Sequence, residues 1–279
     1  MSFSVDRIYS YPVKSMIGDT VETASLSLLG IEGDRHWAIR DLRNGGIRGA
    51  KKIGALMRFS ARQISPGVVE ITAPDGTQNR TNVPDIDDWL SDALGQPVGL
   101  EPLAPAGNLD HYRRGAPTHS DIVAELREVF GREADEPFPD FSVFPPEVAE
   151  FESPPGTHHD CWPLMIMSTS ALRSMRQALP DSVIDWPRFR PSIVIDTGDA
   201  SGHPEFKWTG RTARIGTAVV EFLAPCPRCV MITREIDHSM PADRAILRHV
   251  VRDLDQNVGV YARIATPGVV ARGDALVFD

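Results

Sequence analysis

Short apolar runs that alternate with polar residues, and that end at Gly, Pro, Asn or Asp, cover the first hundred residues of the chain. Alternation of this kind is typical of half-buried β-strands. It predicts strands in the runs VDRIYSYPV, ETASLSLLG, HWAIRD, RFSARQI and VVEITA. One short helix is expected at residues 85–94, because Asp85 stands at its start and Gly95 follows its end. The N-terminal part is therefore predicted to be a small β-barrel-like lobe.

The C-terminal part of the chain returns to β-branched runs after a helical and proline-rich stretch. A helix is expected at residues 120–130, and the prolines that follow it exclude regular strand ladders. A buried strand then runs into a helix that starts near Ser168 or Ser170. A further helix is expected near residues 242–253, and the remaining predicted strands are RPSIVID, ARIGTAVVEFLAP, CVMITRE, VGVYARIA and ARGDALVF.

These patterns predict a β-dominated α+β protein with two lobes. We expect an N-terminal lobe at residues 1–108, a connecting segment that is acidic and rich in proline at residues 109–156, and a C-terminal domain at residues 157–279.

Composition describes an ordinary globular chain of 279 residues, with 42% hydrophobic and 24% charged side chains. Three cysteines, an odd number, and an N-terminus without an apolar run of signal length favour a reducing, cytoplasmic setting. Every apolar run is far shorter than the roughly 18 residues of a membrane span. We therefore expect no contact with a membrane.

The net charge of −9 argues against a nucleic-acid partner, because phosphate backbones attract basic faces. The charge is unevenly distributed, however. Residues 35–62 carry eight basic side chains against one acidic side chain, whereas residues 120–153 carry ten acidic side chains against two basic ones. We expect the first stretch to attract anions and the second to be a mobile, solvated surface segment.

The motif Cys226-Pro-Arg-Cys229 is the sharpest local feature, and it has several interpretations. A thioredoxin-like dithiol needs a helix after the motif, whereas the apolar run VMIT predicts a strand there. A zinc site needs more ligands, which Cys161 with His158 or His159 could supply; otherwise these histidines are expected on a solvated loop. Two inert buried cysteines, or one thiolate ligand to a soft metal in a cofactor, are the other possibilities.

Basic residues also lie where several of the predicted strands begin or end. The run YPVKS ends the first strand with the ammonium of Lys14 and the hydroxyl of Ser15, Arg35 precedes WAIRD, and Arg188 and Arg190 precede SIVID. The planar guanidinium of arginine can bind phosphate through two hydrogen bonds. Together these residues indicate an anionic ligand, although an ion pair with a nearby carboxylate is the alternative for each one.

The order of these motifs resembles that of the MOSC-domain proteins, in particular the two-lobed subgroup with the mitochondrial amidoxime reducing component and its bacterial relatives. The motifs are IYSYPVKSM, LGIEGDRHWAIRD, FRPSIVID, CPRC and NVGVYARIATPGVVARGDAL. The resemblance implies an N-terminal β-barrel lobe packed on a MOSC β-barrel lobe. It also implies a molybdenum cofactor, a pterin dithiolene that carries a phosphate, held between the two lobes.

The resemblance also implies roles for single residues. Cys229 corresponds to the molybdenum ligand of the family, and Asp160 corresponds to an aspartate near the metal, which makes it a candidate catalytic proton relay. The remaining residues correspond to cofactor contacts, with a serine at position 192 where the family often has asparagine: Lys14, Ser15, Arg35, Arg190 and Ser192.

The function that follows from the resemblance is a molybdenum-dependent oxidoreductase that reduces small N-hydroxylated or N-oxide compounds. A separate donor protein of the ferredoxin or reductase type is expected to supply electrons, because three cysteines are too few for a four-cysteine iron–sulfur cluster. Pyridoxal phosphate is not expected. The alternative is a non-catalytic carrier that holds the cofactor, or sulfur, on Cys229.

Overall fold

Strands dominate the structure, which is a computed structural model that describes residues 3–279. The strands are β1 (Phe3–Ser10), β2 (Asp19–Val21), β3 (Thr23–Ser27), β4 (Gly30–Ile31), β5 (Trp37–Asp41), β6 (Ile47–Arg48), β7 (Ser60–Ser65), β8 (Val68–Thr72), β9 (Gln78–Arg80), β10 (Val98–Pro102), β11 (Leu164–Ser168), β12 (Ile193–Asp196), β13 (Thr212–Ile215), β14 (Ala218–Pro227), β15 (Asn257–Thr266), β16 (Gly268–Ala271) and β17 (Ala275–Phe278). The predicted β-dominated α+β class is confirmed.

The α-helices are α1 (Ile86–Leu94), α2 (Leu109–Tyr112), α3 (Ile122–Phe130), α4 (Thr169–Ala178), α5 (Trp186–Phe189) and α6 (Arg244–Asp253). Short 3-10 helices lie at Gly54–Arg58, Phe141–Val143, Pro146–Ala149, Pro204–Trp208 and Val230–Thr233. The helix predicted near Ser168 begins at Thr169, with the Ser168 hydroxyl accepting from the Ala171 N–H at 3.0 Å. Within residues 3–279 no helix has both the length and the apolar character that crossing a membrane requires.

Seven strands close into a barrel, in the order β1, β12, β11, β15, β14, β13, β17 and back to β1. Closure depends on β1, which pairs with β12 along one edge and with β17 along the other. Of these pairs only β11 with β12 is parallel. Apolar side chains from all parts of the barrel, including Val5, Ile8 and Phe222, fill its interior.

The N-terminal lobe consists of the three-stranded sheets β10-β5-β6 and β7-β8-β9 with α1. Its core contains Ile39, Leu56 and Phe59, and also Met231 and Ile236 from the C-terminal half. A third small sheet pairs β16 with β3 and β4, so the two halves of the chain share ladders as well as a core. The predicted domain limits at residues 108 and 156 remain a prediction.

The strand predicted for CVMITRE is wrong. Strand β14 ends at Pro227, and Val230–Thr233 forms a 3-10 helix instead. The run is apolar because its residues belong to two cores. Met231 packs into the core of the N-terminal lobe, and Ile232 belongs to a second core that also contains side chains of α4 and α6. Continuous burial of this kind gives the same short apolar run as a buried strand, so periodicity cannot separate the two.

Candidate functional site

A cavity of about 720 Å³ lies between the barrel, the N-terminal lobe and the connecting segment, residues 109–156. Its volume is in the range of sites for small molecules and cofactors. All seven residues that the sequence proposed for the site lie on its wall, although they come from distant parts of the chain: Lys14, Ser15, Arg35, Asp160, Arg190, Ser192 and Cys229. Their roles toward a ligand remain predictions.

The two cysteines of the CPRC motif have different surroundings. Cys226 is the second-to-last residue of β14 and is only 2% exposed. Its sulfur accepts a hydrogen bond from Nη1 of Arg228 at 3.2 Å. Nη2 of Arg228 donates to the Phe189 carbonyl at 2.7 Å, which fixes the guanidinium in the interior. Cys229 is half-buried on the cavity wall, directly before the 3-10 helix. Cys229 is therefore the more accessible of these two thiols.

The dithiol and zinc interpretations gain no support from this geometry. All three cysteines carry free thiols, and the motif lies at a strand end before a 3-10 helix of four residues. Among residues 3–279, only one group of at least three His, Cys, Asp or Glu side chains has its ligand atoms close together. It consists of His119, Glu125 and Glu128, and it contains no cysteine. His158 and His159 are buried at 1% and 5% exposure, so their expected solvated position is wrong.

Left-handed backbone marks three of the predicted cofactor contacts. Ser15, Arg35 and Arg190 have φ of 70°, 50° and 57°. Such angles are unfavourable for residues with a Cβ atom, and they concentrate at functional sites. The other non-glycine residues with positive φ within residues 3–279 are Asp255 and Gln256. Three of five strained residues thus lie on one cavity wall.

Tyr11 holds the two arginines of the site together. The guanidinium carbons of Arg190 and Arg35 lie 4.2 Å and 5.2 Å from the centre of its ring. The Tyr11 hydroxyl donates to the Pro191 carbonyl at 3.0 Å. Asp34 accepts from the Tyr11 N–H and pairs with Arg35. Burial raises the pKa of Asp34, although Arg35 opposes this effect.

Arg190 carries a buried donor without a partner. Nη1 donates to the Met16 carbonyl, but Nη2 is buried and has no hydrogen-bond partner in the described part of the chain. Burial, and then the neighbouring Arg35, lower the pKa of Arg190 to about 10, so the guanidinium stays charged at neutral pH. A buried cationic donor of this kind is costly unless it binds an acceptor. The geometry is suited to an anionic group in the cavity.

A second charged group lies beside the arginines. The Asp160 carboxylate accepts from Lys14 at Oδ1 and lies 3.1 Å from Nζ of Lys51 at Oδ2. Burial alone would raise the pKa of Asp160, but the two ammonium groups outweigh it and hold that pKa well below its usual range. Burial dominates at Lys14 and lowers its pKa, although Asp160 opposes the shift. Nζ of Lys14 also donates to the His158 carbonyl at 2.7 Å.

The two serines are tied to the backbone through their oxygen atoms. Oγ of Ser15 accepts from the Ala50 N–H at 2.9 Å, and Oγ of Ser192 accepts from the Met165 N–H at 3.4 Å. Each hydroxyl proton is therefore free to be donated elsewhere. The Ser192 hydroxyl can therefore donate a hydrogen bond at a position where the family that the sequence resembles often has the longer asparagine.

Lys51 is a site residue that the sequence reasoning did not single out. In the sequence, Lys51 is one of the basic residues of the stretch at residues 35–62, and it lies in none of the motifs. Burial would lower its pKa, but Asp160 and then Cys229 raise it. Arg188, by contrast, is a structural residue: it is 1% exposed and donates to the carbonyls of Val183 and Pro241 at 2.7 Å.

Comparison with family models finds two matches along the chain. A model described as MOSC N-terminal beta barrel domain matches residues 2–93, and a model described as MOSC domain matches residues 155–277. Among curated proteins, mitochondrial amidoxime reducing component 2 of Bos taurus is 22% identical over 247 residues, which cover 84% of this chain and 67% of the bovine protein.

Two solved structures illustrate the structural relatives. The YUAD protein from Bacillus subtilis aligns over 100% of this chain and 96% of its own, with a TM-score of 0.48 and 11% identity. YiiM from Geobacillus stearothermophilus aligns over 42% of this chain and 54% of its own, with a TM-score of 0.33 and 15% identity.

Proposed function

We propose, from the premise that this chain is a MOSC-domain protein with a MOSC N-terminal beta barrel domain before its MOSC domain, that it binds a molybdenum cofactor and reduces N-hydroxylated or N-oxide compounds. The observation that carries the proposal is the meeting of one accessible thiol with several cationic donors on a single cavity wall. Cys229 lies there with Lys51, Arg35 and Arg190, and the Nη2 donor of Arg190 is buried without a partner among residues 3–279.

The residues of the cavity fit the chemistry of such a cofactor. A thiolate is a suitable ligand for a soft metal, and Cys229 is the half-buried cysteine on the wall. A phosphate would accept from the free Nη2 of Arg190, from the hydroxyl of Ser15 and from Arg35. Lys14 and Ser192 complete the proposed contacts, with the charge of Lys14 shared between the ligand and Asp160.

Lys14 is proposed to supply the proton, with Asp160 beside it as a positioning residue. When bound, the cofactor would provide the electrons for reductive cleavage of the N–O bond, which also consumes protons. Asp160 is ionised at neutral pH because its pKa is well below the usual range, so it carries no proton to donate. The ammonium of Lys14, with its lowered pKa, is the better acid. Asp160 then acts by holding that ammonium at the cavity.

The electrons are proposed to come from a separate protein of the ferredoxin or reductase type. Three cysteines cannot hold a four-cysteine cluster in this chain. The alternative function is a carrier that keeps the cofactor or a sulfur atom on Cys229 without turnover. Both functions need the same thiol, and they differ in whether one protein molecule processes many substrate molecules.

The test begins with the molybdenum and pterin content of protein purified from a host that makes the cofactor. We expect both to be present, and we expect Cys229→Ser to retain at least about tenfold less molybdenum, because the metal loses its ligand from the protein. Cys226→Ser is the matched control, since that thiol also borders the cavity but is only 2% exposed and accepts a hydrogen bond from Arg228. A metal content that Cys229→Ser leaves unchanged would remove the proposal.

Turnover distinguishes the oxidoreductase from the carrier. With dithionite as reductant and benzamidoxime as substrate, the oxidoreductase forms many equivalents of benzamidine per molybdenum. A carrier forms none, and instead transfers one equivalent of cofactor or sulfur to an acceptor. Transfer of a single equivalent without turnover would favour the alternative.

A further inference from the structure

We propose that the connecting segment forms an apolar wall that selects substrates with an uncharged alkyl or aryl body. The apolar wall consists of six side chains that line the cavity: Ile122, Leu126, Val129, Phe130, Phe141 and Phe144. The inference rests on the proposed function and adds the class of compound that it acts on. In the sequence this segment appeared only as an acidic, proline-rich surface stretch.

Helix α3 turns one apolar face toward the cavity. Ile122, Leu126, Val129 and Phe130 follow the spacing that places residues on one side of a helix. None of the side chains of α3 is fully buried, and Ile122 is 67% exposed. An amphipathic helix normally buries such a face against the protein core. Here the face borders the open space of the cavity instead.

Two phenylalanines, Phe141 and Phe144, extend this face beyond the end of the helix. The rings of Phe130 and Phe141 meet edge to face at 5.7 Å, and Phe144 lies 6.4 Å and 6.1 Å from them. Such contacts fix the rings relative to one another. Phe141 nevertheless keeps 46% exposure, which leaves a flat apolar surface available to a ligand.

Several charged side chains around the wall are already paired. Nζ of Lys52 lies 2.8 Å from carboxylate oxygens of Glu125 and of Glu128, and Arg114 lies 2.8 Å from Glu152. Each of these side chains thus has an opposite charge close by, and Lys52 is shared between two carboxylates. A charged substrate body would have to be desolvated against the phenylalanines. An uncharged body incurs no such cost.

The wall begins beside the proposed metal ligand. Gly131 ends α3 with φ of 63°, and a Cβ atom at this position would lie 3.2 Å from Cβ of Val230, the residue after Cys229. Nη2 of Arg132 donates to the Arg228 carbonyl at 3.1 Å. A compound whose body lies on the wall therefore has its other end near Cys229.

A small molecule fits this surface better than a protein partner. The wall faces a cavity of about 720 Å³, a volume suited to a compound of drug size. A stable protein interface needs roughly 800 Å² from each partner, spread over an accessible face. Six side chains on the inside of a cavity do not provide that area.

Isothermal titration of the purified protein with straight-chain amidoximes, from acetamidoxime to octanamidoxime, tests the inference. Each added methylene is expected to tighten binding by about fourfold until the wall is covered, because transfer of a methylene from water is favourable. In the double variant Leu126→Ala/Phe144→Ala the gain per methylene is expected to fall by about half. Affinity that does not depend on chain length would overturn the inference.

Val123→Ala is the matched control. Val123 lies on the same first turn as Ile122 and is 44% exposed, but it does not line the cavity. It should leave the gain per methylene unchanged, and a loss equal to that of the double variant would contradict the wall. An amidoxime whose alkyl chain ends in a carboxylate should bind more weakly than its methyl-ended counterpart, and equal affinity would also contradict the wall. A self-association of the protein that only the double variant abolishes would contradict it as well.

The same titration of Cys229→Ser separates this inference from the proposed function. Binding needs no molybdenum, so the dependence on chain length should persist in that variant. If molybdenum is absent from the native protein while chain length still controls affinity, the proposed function fails and the apolar wall stands. If molybdenum is present and chain length has no effect, the wall fails alone.

Discussion

At the scale of single residues, side-chain chemistry was predictable and side-chain environment was not. The residue types at the strand ends, together with the resemblance to the MOSC-domain proteins, indicated Lys14, Arg35, Arg190 and Cys229. All four lie on one cavity wall, although Lys14 and Cys229 are more than two hundred residues apart. The left-handed backbone of Arg190 and its unpartnered Nη2 left no trace in the sequence, because both depend on the packing of Tyr11 and Met16 around it.

His158 shows the same limit more clearly. Two adjacent histidines in a polar stretch resemble a solvated loop, yet His158 is 1% exposed. Its Nδ1–H donates to the Arg35 carbonyl at 3.0 Å, and its own carbonyl accepts from Lys14. Burial, and then Lys14 and His111, lower the pKa of His158 to about 3. His158 therefore supports two residues of the site: its neutral imidazole binds the Arg35 carbonyl, and its backbone carbonyl binds the Lys14 ammonium.

Neutral His158 makes the stability of the protein depend on pH. The unfolded chain binds a proton at this residue below about pH 6.5, whereas the folded chain resists protonation until about pH 3. This contribution to stability is present above pH 6.5 and is lost as the pH falls from 6.5 toward 3. Between pH 7.5 and pH 5.0 the free energy of unfolding should fall by about 2 kcal/mol from His158 alone.

Urea denaturation at the two pH values measures this effect. His158→Gln should lower stability at pH 7.5, and it should reduce the difference between the two pH values by about 2 kcal/mol. His238→Gln is the control, because that side chain is exposed in the folded protein and stays in water on unfolding. An unchanged difference in His158→Gln would show that the imidazole is not held neutral.

At the scale of elements, the predictions held where an element has caps and a single apolar face, and failed where an element contributes to two cores. The helices expected at residues 85–94 and 120–130 are present as α1 and α3, because caps and periodicity mark them. The run VMIT was assigned to a strand because both of its faces are covered. The connecting segment was expected to be a mobile surface, but its apolar residues line the cavity.

Two glycines that end helices provide a matched pair for testing how α3 is positioned. Gly95 and Gly131 follow α1 and α3 with φ of 68° and 63°. A Cβ atom on Gly95 would meet nothing within 4 Å, whereas on Gly131 it would lie 2.7 Å from Cδ2 of Leu247 and 3.2 Å from Cβ of Val230. Gly95→Ala should cost about 1 kcal/mol from backbone strain alone. Gly131→Ala should cost about 1–2 kcal/mol more, from crowding.

Urea denaturation gives the two free energies, and titration with hexanamidoxime reports on the cavity. Gly131→Ala should also weaken binding several-fold, because crowding against Val230 moves the end of α3 away from Cys229. Gly95→Ala should leave binding unchanged. Equal costs for both variants would mean that the end of α3 is not fixed against the 3-10 helix.

At the scale of the whole molecule, the two halves of the chain are interwoven in a way that no local pattern reveals. Strand β1 belongs to the barrel, and the chain then passes through Tyr11–Ser15 into the N-terminal lobe. The cationic side of the cavity is assembled at this crossing, within a protein of net charge −9. Sequence order suggests two consecutive domains, because pairing between distant strands depends on tertiary contacts rather than on periodicity.

The role of β1 predicts that the C-terminal domain does not fold alone. Without β1 the barrel has open edges at β12 and β17 and loses the side chains of Val5 and Ile8 from its core. A fragment of residues 157–279 should aggregate, whereas the same fragment joined by a Gly/Ser linker to residues 1–22 should be more soluble. Only the second fragment should unfold cooperatively in thermal circular dichroism. A monomeric 157–279 fragment with a cooperative transition would show that the barrel closes without its first strand.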